Sequence, residues 1–406
     1  MIRSINKGRR FLLIALVAAQ VCIAALAVLS FPTDERDFLI QVTAGRVSDL
    51  DGNGVLYDPG IQLRRQNEIP QKALGEDYLL PFNHPPLLLP FLRPLSRMSY
   101  RQAFTIWTIV SSILLILAAS ICTAEMRSVP GSSIERKVVP LAFLAFFPMA
   151  IILAQGQDTA LLMLGLAGWL VLLDDGRDVA AGFALSLASI RPHIALGLSI
   201  PFLFARREVF AGFVAGALIL TFYSIAMVGL DGAFGLVQMV RATGTGEGLV
   251  IGQSHMPNLQ GFLTRHTVLD VHRAVSTGVS WSAWALFVAL SVFWWLRSGS
   301  KVSVRDCGLL LLGTVLFVPH IHLHDVAIWA FPPVLSATKR LSADRADWDL
   351  PVVSLAGASL FLTLMAISPE LLFDLWLASA VLLIAIPLIR DIEKGNTRDW
   401  GGYGTS

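Results

Sequence analysis

The run VAAGFALSLASIRPHIALGLSIPFLFA, Val179 to Ala205, decides how this chain is read. Its 27 residues are apolar except around Ile190-Arg191-Pro192-His193, and a charged break flanks each end, Asp174 to Asp178 before it and Arg206-Arg207 after it. Basic breaks mark the cytoplasmic side of a membrane protein, so a run held between two of them crosses an even number of times. A full crossing takes about 20 apolar residues, which makes this run too short for two. The expected form is a pair of half-length helices meeting at Ile190 to His193. Irregular backbone at that depth is tolerated only inside protein or along a wet cavity, so Arg191 is expected to point into such a cavity.

The same alternation of apolar runs and short polar breaks extends in both directions. The chain has 406 residues, 55% hydrophobic and 15% charged, against about 25% charged in an ordinary soluble domain. Lipid is therefore the solvent, and the short alternating segments of a closed barrel are absent. Toward the N-terminus, Arg3, Lys7, Arg9 and Arg10 precede an apolar run from Phe11 to Phe31, read as an uncleaved first span with its basic end in the cytoplasm. Further spans are expected near 102–124, 138–154, 158–173, 178–189, 194–205, 208–229, 276–297, 307–319, 326–338, 351–368 and 373–389, about twelve crossings in an all-helical protein. The breaks assigned to the cytoplasm carry Arg127, Arg136, Lys137, Arg177, Arg206, Arg207, Arg297, Lys301, Arg305, Lys339, Arg340 and Arg345, and the tail 390–406 carries Arg390, Lys394 and Arg398. The short breaks on the other side, Gln155 to Asp158 and Ser368 to Glu370, have no Lys or Arg.

The whole chain reads as one membrane-embedded domain with two larger outer segments. The first, 32–101, holds a short surface helix over Asp37 to Leu50 and a proline-rich stretch from Leu79 to Leu95 too broken to span. The second, 230–275, is glycine-rich and contains Gly252-Gln253-Ser254-His255-Met256-Pro257-Asn258. A net charge of +2 gives no argument for nucleic acid. Cys22, Cys122 and Cys307 sit in apolar runs without paired spacing, which supports neither disulfides nor zinc.

This topology gathers polar residues at the outer face: Asp34, Glu35, Asp37, Tyr57, His84, Gln155, Gln157, Asp158, Arg191, His193, Gln253, His255, Asn258, His320, His322, His324 and Asp325. Ionisable groups at membrane depth cost about 2.5 to 3.5 kcal/mol each on insertion scales, so their accumulation asks for a polar ligand. A carboxylate, a cation at a broken helix and several imidazoles suit transfer of a group from a phosphate leaving group, with the acid taking the proton of the incoming hydroxyl. Plainer readings stand beside this one. Asp37 also fits a solvated acid, Arg191 a link between half-helices, and Gln155-Gly156-Gln157 a tight turn. His320, His322 and His324 have the look of a metal site, but helical positions two apart share no face.

The order of the motifs resembles glycosyltransferase family 87, the polyprenyl-phosphate-sugar-dependent mannosyltransferases and their relatives. The matching elements are Asp37-Phe38, Leu56-Tyr57-Asp58-Pro59, Phe82-Asn83-His84-Pro85-Pro86, Pro94-Leu95, Trp107, Gly156-Gln157, Ala181-Gly182, Arg191-Pro192, Gln253 to Asn258, His320 to Asp325 and Pro332-Pro333. His84 stands where a tyrosine is usual, Thr159 where another polar residue is often found, and Arg191 where a lysine is usual. The resemblance implies a C-type membrane glycosyltransferase that passes a mannose-like hexose from a polyprenyl-phosphate donor to an outer lipid or glycan acceptor at the plasma membrane, with both termini cytoplasmic and no required metal or other cofactor. Asp37 is implied as general base. Arg191, His193, His322, His324, His84 and Gln157 are implied around the donor phosphate and sugar, with Tyr57, Gln253, His255 and Asn258 on the acceptor side or lining the cavity. A transporter or flippase of lipid-linked intermediates is the rival, since broken helices and midplane charges serve carriers as well. A non-catalytic assembly partner is the third reading.

Overall fold

The computed structural model describes residues 7–30, 37–69, 78–128, 135–245, 256–266, 272–298, 302, 304–343, 348–367 and 374. Gln253, His255, Asp34 and Glu35 lie outside them, as do the tail and nearly all of the span expected at 373–389. Among the described residues the regular structure is helical throughout. In chain order the helices are α1 (Lys7–Ser30), α2 (Phe38–Leu50), α3 (Pro59–Asn67), α4 (Leu89–Leu95), α5 (Tyr100–Cys122), α6 (Glu135–Leu144), α7 (Phe147–Gln155), α8 (Thr159–Asp174), α9 (Asp178–Leu185), α10 (Pro192–Ala205), α11 (Arg207–Thr245), α12 (Leu259–His266), α13 (His272–Ser298), α14 (Val304–Phe317), α15 (Phe331–Ser342) and α16 (Asp349–Ile367). Short 3-10 turns join several of them, including Ser186–Ile190 and Asp325–Ala330.

Five of these helices, α1, α5, α11, α13 and α16, contain segments long and apolar enough to cross a bilayer, and α6 with α7, bent by 50°, qualifies as a sixth. The expected span 138–154 is this bent pair. Pro148 opens α7, and its ring bars the preceding residues from continuing α6, so Phe146 leaves helical geometry at ψ 124°. The remaining apolar helices run from 10 to 16 residues, below the roughly 17 to 25 that a crossing takes. The span expected at 326–338 is a 3-10 turn followed by α15, which begins at Phe331 with proline in its first turn.

Two packing features place the site. α9 crosses α11 at backbone contact, because a Cβ on Gly182 would lie 1.8 Å from the Val209 carbonyl oxygen and one on Gly212 would lie 2.1 Å from that of Val179. α2 lies along the start of α5, where the Phe38 ring meets Tyr100, Phe104 and Trp107 with centroids 5.4 to 5.7 Å apart. This aromatic cluster heads a second core that includes Val42, Leu56, Tyr57, Phe82 and Leu92, separate from the large core of the helical bundle.

Part of the segment expected at 230–275 is helical. α11 passes Gly229 and runs on to Thr245, so residues 230–245 are helical. Gly229 alone takes φ 72°, a conformation open to glycine at little cost. Asn53 donates to the Met227 carbonyl at 2.8 Å, meeting an oxygen that the break releases. Beyond the break, Leu230, Phe234, Val237 and Val240 recur at helical spacing and stay exposed, the pattern of a stripe facing lipid.

Candidate active site

At one end of the bundle four interruptions of helix come together. They are the residue before α2, the α7–α8 turn, the α9–α10 break and the turn after α14. The opposite end is closed by Arg206, which pairs with Asp178 and reaches the carbonyls of Leu173 and Val302, and by Lys339, 2.5 Å from Asp174.

The α7–α8 turn is built on Gly156, whose φ of 70° ends α7 in a left-handed cap. A Cβ there would lie 2.6 Å from Cβ of Phe38. This close approach lets Gln157 reach the residue before Phe38, and its Nε2 donates to Oδ2 of Asp37. Gln157 Oε1 in turn accepts from Arg191 Nη2 at 3.1 Å. Arg191 sits at the broken helix with φ −121° and ψ 81°, and Pro192 starts α10 behind it. Asp37 and Arg191 therefore share one amide, although some 150 residues separate them in the chain.

Arg191 is buried among further polar groups. Nη1 lies 2.6 Å from Nε2 of His84 and Nη2 lies 2.9 Å from Oδ1 of Asp158, while Nε, 3.6 Å from Oδ1 of Asp325, has no hydrogen-bond partner. A guanidinium only donates, so the His84 nitrogen facing it is an acceptor and the proton is on Nδ1, 2.7 Å from Oδ2 of Asp158. The backbone carbonyl of His84 takes the Tyr57 hydroxyl at 2.8 Å. Tyr57 is buried against the Phe82 ring and positions the His84 loop from behind.

A row of imidazoles borders this cluster. His193 meets His320 edge-on at 5.9 Å, His320 meets His322 at 4.7 Å, and His322 stacks on His324 at 5.6 Å. His324 Nδ1 lies 3.2 Å from Oε1 of Gln155, and the His322 N–H donates to Asp325 at 3.0 Å. His193 Nε2 is buried with no hydrogen-bond partner. Among the described residues no three His, Cys, Asp or Glu side chains are arranged to hold a metal ion. Asn258 is committed elsewhere, donating to the Val318 carbonyl at 2.6 Å and accepting from the Gly261 N–H at 3.0 Å, a cap for α12.

Asp37 is half-buried, and its carboxyl lies deep enough that burial raises its pKa above the ordinary aspartate value, opposed by the Gln157 hydrogen bond and then by the positive charge of Arg191. A carboxylate so placed is more basic than one in water and is held by a single amide.

Asp158 and Asp325 were in view as outer-face polar residues but had no role assigned. The signal was available: an arginine at membrane depth needs a counter-charge, and these two acids adjoin the Gln157 and His324 motifs. The three-dimensional pairing through Gln157 had no sequence signal, because it depends on the Gly156 turn touching Phe38.

A helical membrane fold with carboxylates, an arginine and imidazoles gathered at helix breaks on one end defines a class of membrane-embedded group-transfer proteins. The family model described as glycosyltransferase family 87 matches residues 82–319. The chain belongs to that family, and it is a glycosyltransferase. The matched region holds His84, Gln157, Asp158, Arg191 and His193, while Asp37 precedes it and His320 to Asp325 follow it. No curated protein and no solved structure matches the chain.

Proposed function

We propose that the protein transfers a mannose-like hexose from a polyprenyl-phosphate donor to a lipid or polysaccharide acceptor outside the plasma membrane. The observation that carries this reading is the half-buried Asp37 carboxylate, held by Gln157 and backed by the Arg191 charge at the open ends of the broken helices. In the proposed reaction Asp37 takes the proton of the acceptor hydroxyl, and the acceptor oxygen bonds to the anomeric carbon. The bond from that carbon to the phosphate oxygen breaks on the opposite side, its electron pair leaving with polyprenyl phosphate, so the configuration inverts. His193, His322 and His324 face the departing phosphate, where ring N–H donors offset its growing charge. The shorter apolar helices and the run 373–389, each counted as a crossing, complete a C-type architecture of about twelve. Arg206, Arg207, Arg297, Lys339 and Arg340 mark the cytoplasmic end and leave the site outside.

The test is Asp37→Asn in purified protein supplied with labelled polyprenyl-phosphate hexoses, with products read by mass. The expected outcome is unchanged folding and turnover reduced about 100- to 10,000-fold, the range for loss of a general base. Near wild-type turnover would remove Asp37 from the chemistry.

A further inference from the structure

Arg191 is joined to the Asp37 carboxylate through one side chain. Its Nη1 bonds His84 and its Nη2 bonds Gln157 and lies beside Asp158, while Nε is buried with no hydrogen-bond partner, 3.6 Å from Asp325. The Gln157 amide is locked from both sides. Its oxygen faces a cation and its nitrogen faces a carboxylate, and a flipped amide would set oxygen against oxygen and N–H against N–H.

We infer that Arg191 is a positioning residue that acts on the transfer through Gln157, fixing the amide that holds the Asp37 carboxylate. The inference rests on the reading of Asp37 as the base. A guanidinium bonded to the amide oxygen draws electron density from the N–H side and strengthens the bond it gives to Asp37. That bond favours the ionised carboxylate and aims one oxygen, leaving the other for the acceptor proton. Asp158 completes the device, since its two oxygens hold Arg191 and His84 together.

The experiment is steady-state kinetics of the full chain in detergent or nanodiscs, with labelled polyprenyl-phosphate hexose, for Gln157→Leu, Arg191→Lys and the double variant. Lysine keeps the charge of Arg191 but offers one point donor instead of a fork. Both single variants are expected to lower kcat about tenfold or more while donor KM stays within about twofold, and to move the acid limb of the kcat profile to higher pH. The double variant is expected to be no worse than the poorer single one, as for two parts of one chain of contacts. A donor KM raised about tenfold by Arg191→Lys with the acid limb unmoved would overturn the inference and put Arg191 on the phosphate. Effects that multiply in the double variant would also overturn it. Should Arg191→Lys fail to fold, Gln157→Asn, shorter by one methylene, reads the same acid limb. An inactive Asp37→Asn beside a Gln157→Leu of wild-type pH profile sinks only this inference, whereas an active Asp37→Asn sinks the proposed function.

Discussion

Two ion networks in this chain use the same residue types in opposite ways. Along the helices of the segment expected outside the membrane, Asp49 takes bonds from Arg93 and Arg97, and Asp51 from Arg64 and Arg65, with Arg65 also on Glu68. Four of the partners there are well exposed, with side chains 40% to 62% open for Arg64, Glu68, Arg93 and Arg97. At the helix breaks one buried Arg191 serves two buried carboxylates, a histidine and a glutamine. Each exposed ion that loses its partner turns to water. Each buried ion that loses its partner has nowhere to turn, so that network stands or falls as a unit.

Asp158→Ala breaks this contrast most severely. It strands the Arg191 charge and leaves the His84 Nδ1 proton without an acceptor. Removing one member of a buried pair costs about 3 to 5 kcal/mol, which is a large part of the stability of most proteins. The expected result is poor yield and a large fall in the thermal midpoint in detergent, with Asp158→Asn partly recovered because an amide still bonds His84 or Arg191. A midpoint within a few degrees of wild type for Asp158→Ala would mean that water reaches Arg191 freely, and the two networks would then be alike.

The sequence revealed the broken helix at Arg191, the short helix after Asp37 and most helix positions, because each rests on local signals: apolar run length, prolines, and basic breaks. The capping box of Ser99 and Gln102 and the Asp58-Pro59 start of α3 are signals of the same kind. What stayed hidden was non-local. Counting apolar runs does not fix helix length: α8 and α14, at the expected spans 158–173 and 307–319, are 16 and 14 residues long. The break at Gly229 is met by Asn53, which bonds the Met227 carbonyl from 174 residues upstream, and the helix resumes. At the site, residue types and the shared face were legible, but not which acid would hold Arg191. Asp158 and Asp325 neighbour residues already singled out, and only folding shows that both point at the guanidinium.

The contrast sharpens with pH. Burial raises the Asp37 pKa, so its basic form is lost at a higher pH than for an ordinary aspartate, and activity is expected to fall on acidification while the fold is still intact. Bonds from Arg97 and Arg93 instead lower the Asp49 pKa to about 2. A carboxylate depressed in the folded state contributes stability that is complete above its unfolded value, near 3.9, and that fades as pH falls toward the folded value. The acid limb of kcat should therefore precede any loss of the outer ion network. Parallel measurement of turnover and thermal midpoint from pH 7 downward checks the order, and a simultaneous loss of both would show that activity follows unfolding.

The smallest expected effect belongs to Asp49→Asn. The substitution removes the charge that Arg93 and Arg97 share but keeps the shape, and both arginines have water to turn to. Exposed pairs of this kind are weakened by salt, since the Debye length falls to about 3 Å at 1 M. Asp49→Asn should lower the thermal midpoint slightly at low salt, and the difference from wild type should vanish at high salt. Its kcat should be unchanged at either salt, because Asp49 lies about three helical turns along α2 from Asp37. A fall in kcat that persists at high salt would show that the Asp49 bonds orient α2, and with it the carboxylate at its start. The outer network would then belong to the catalytic machinery, and the separation between the two ion networks would fail.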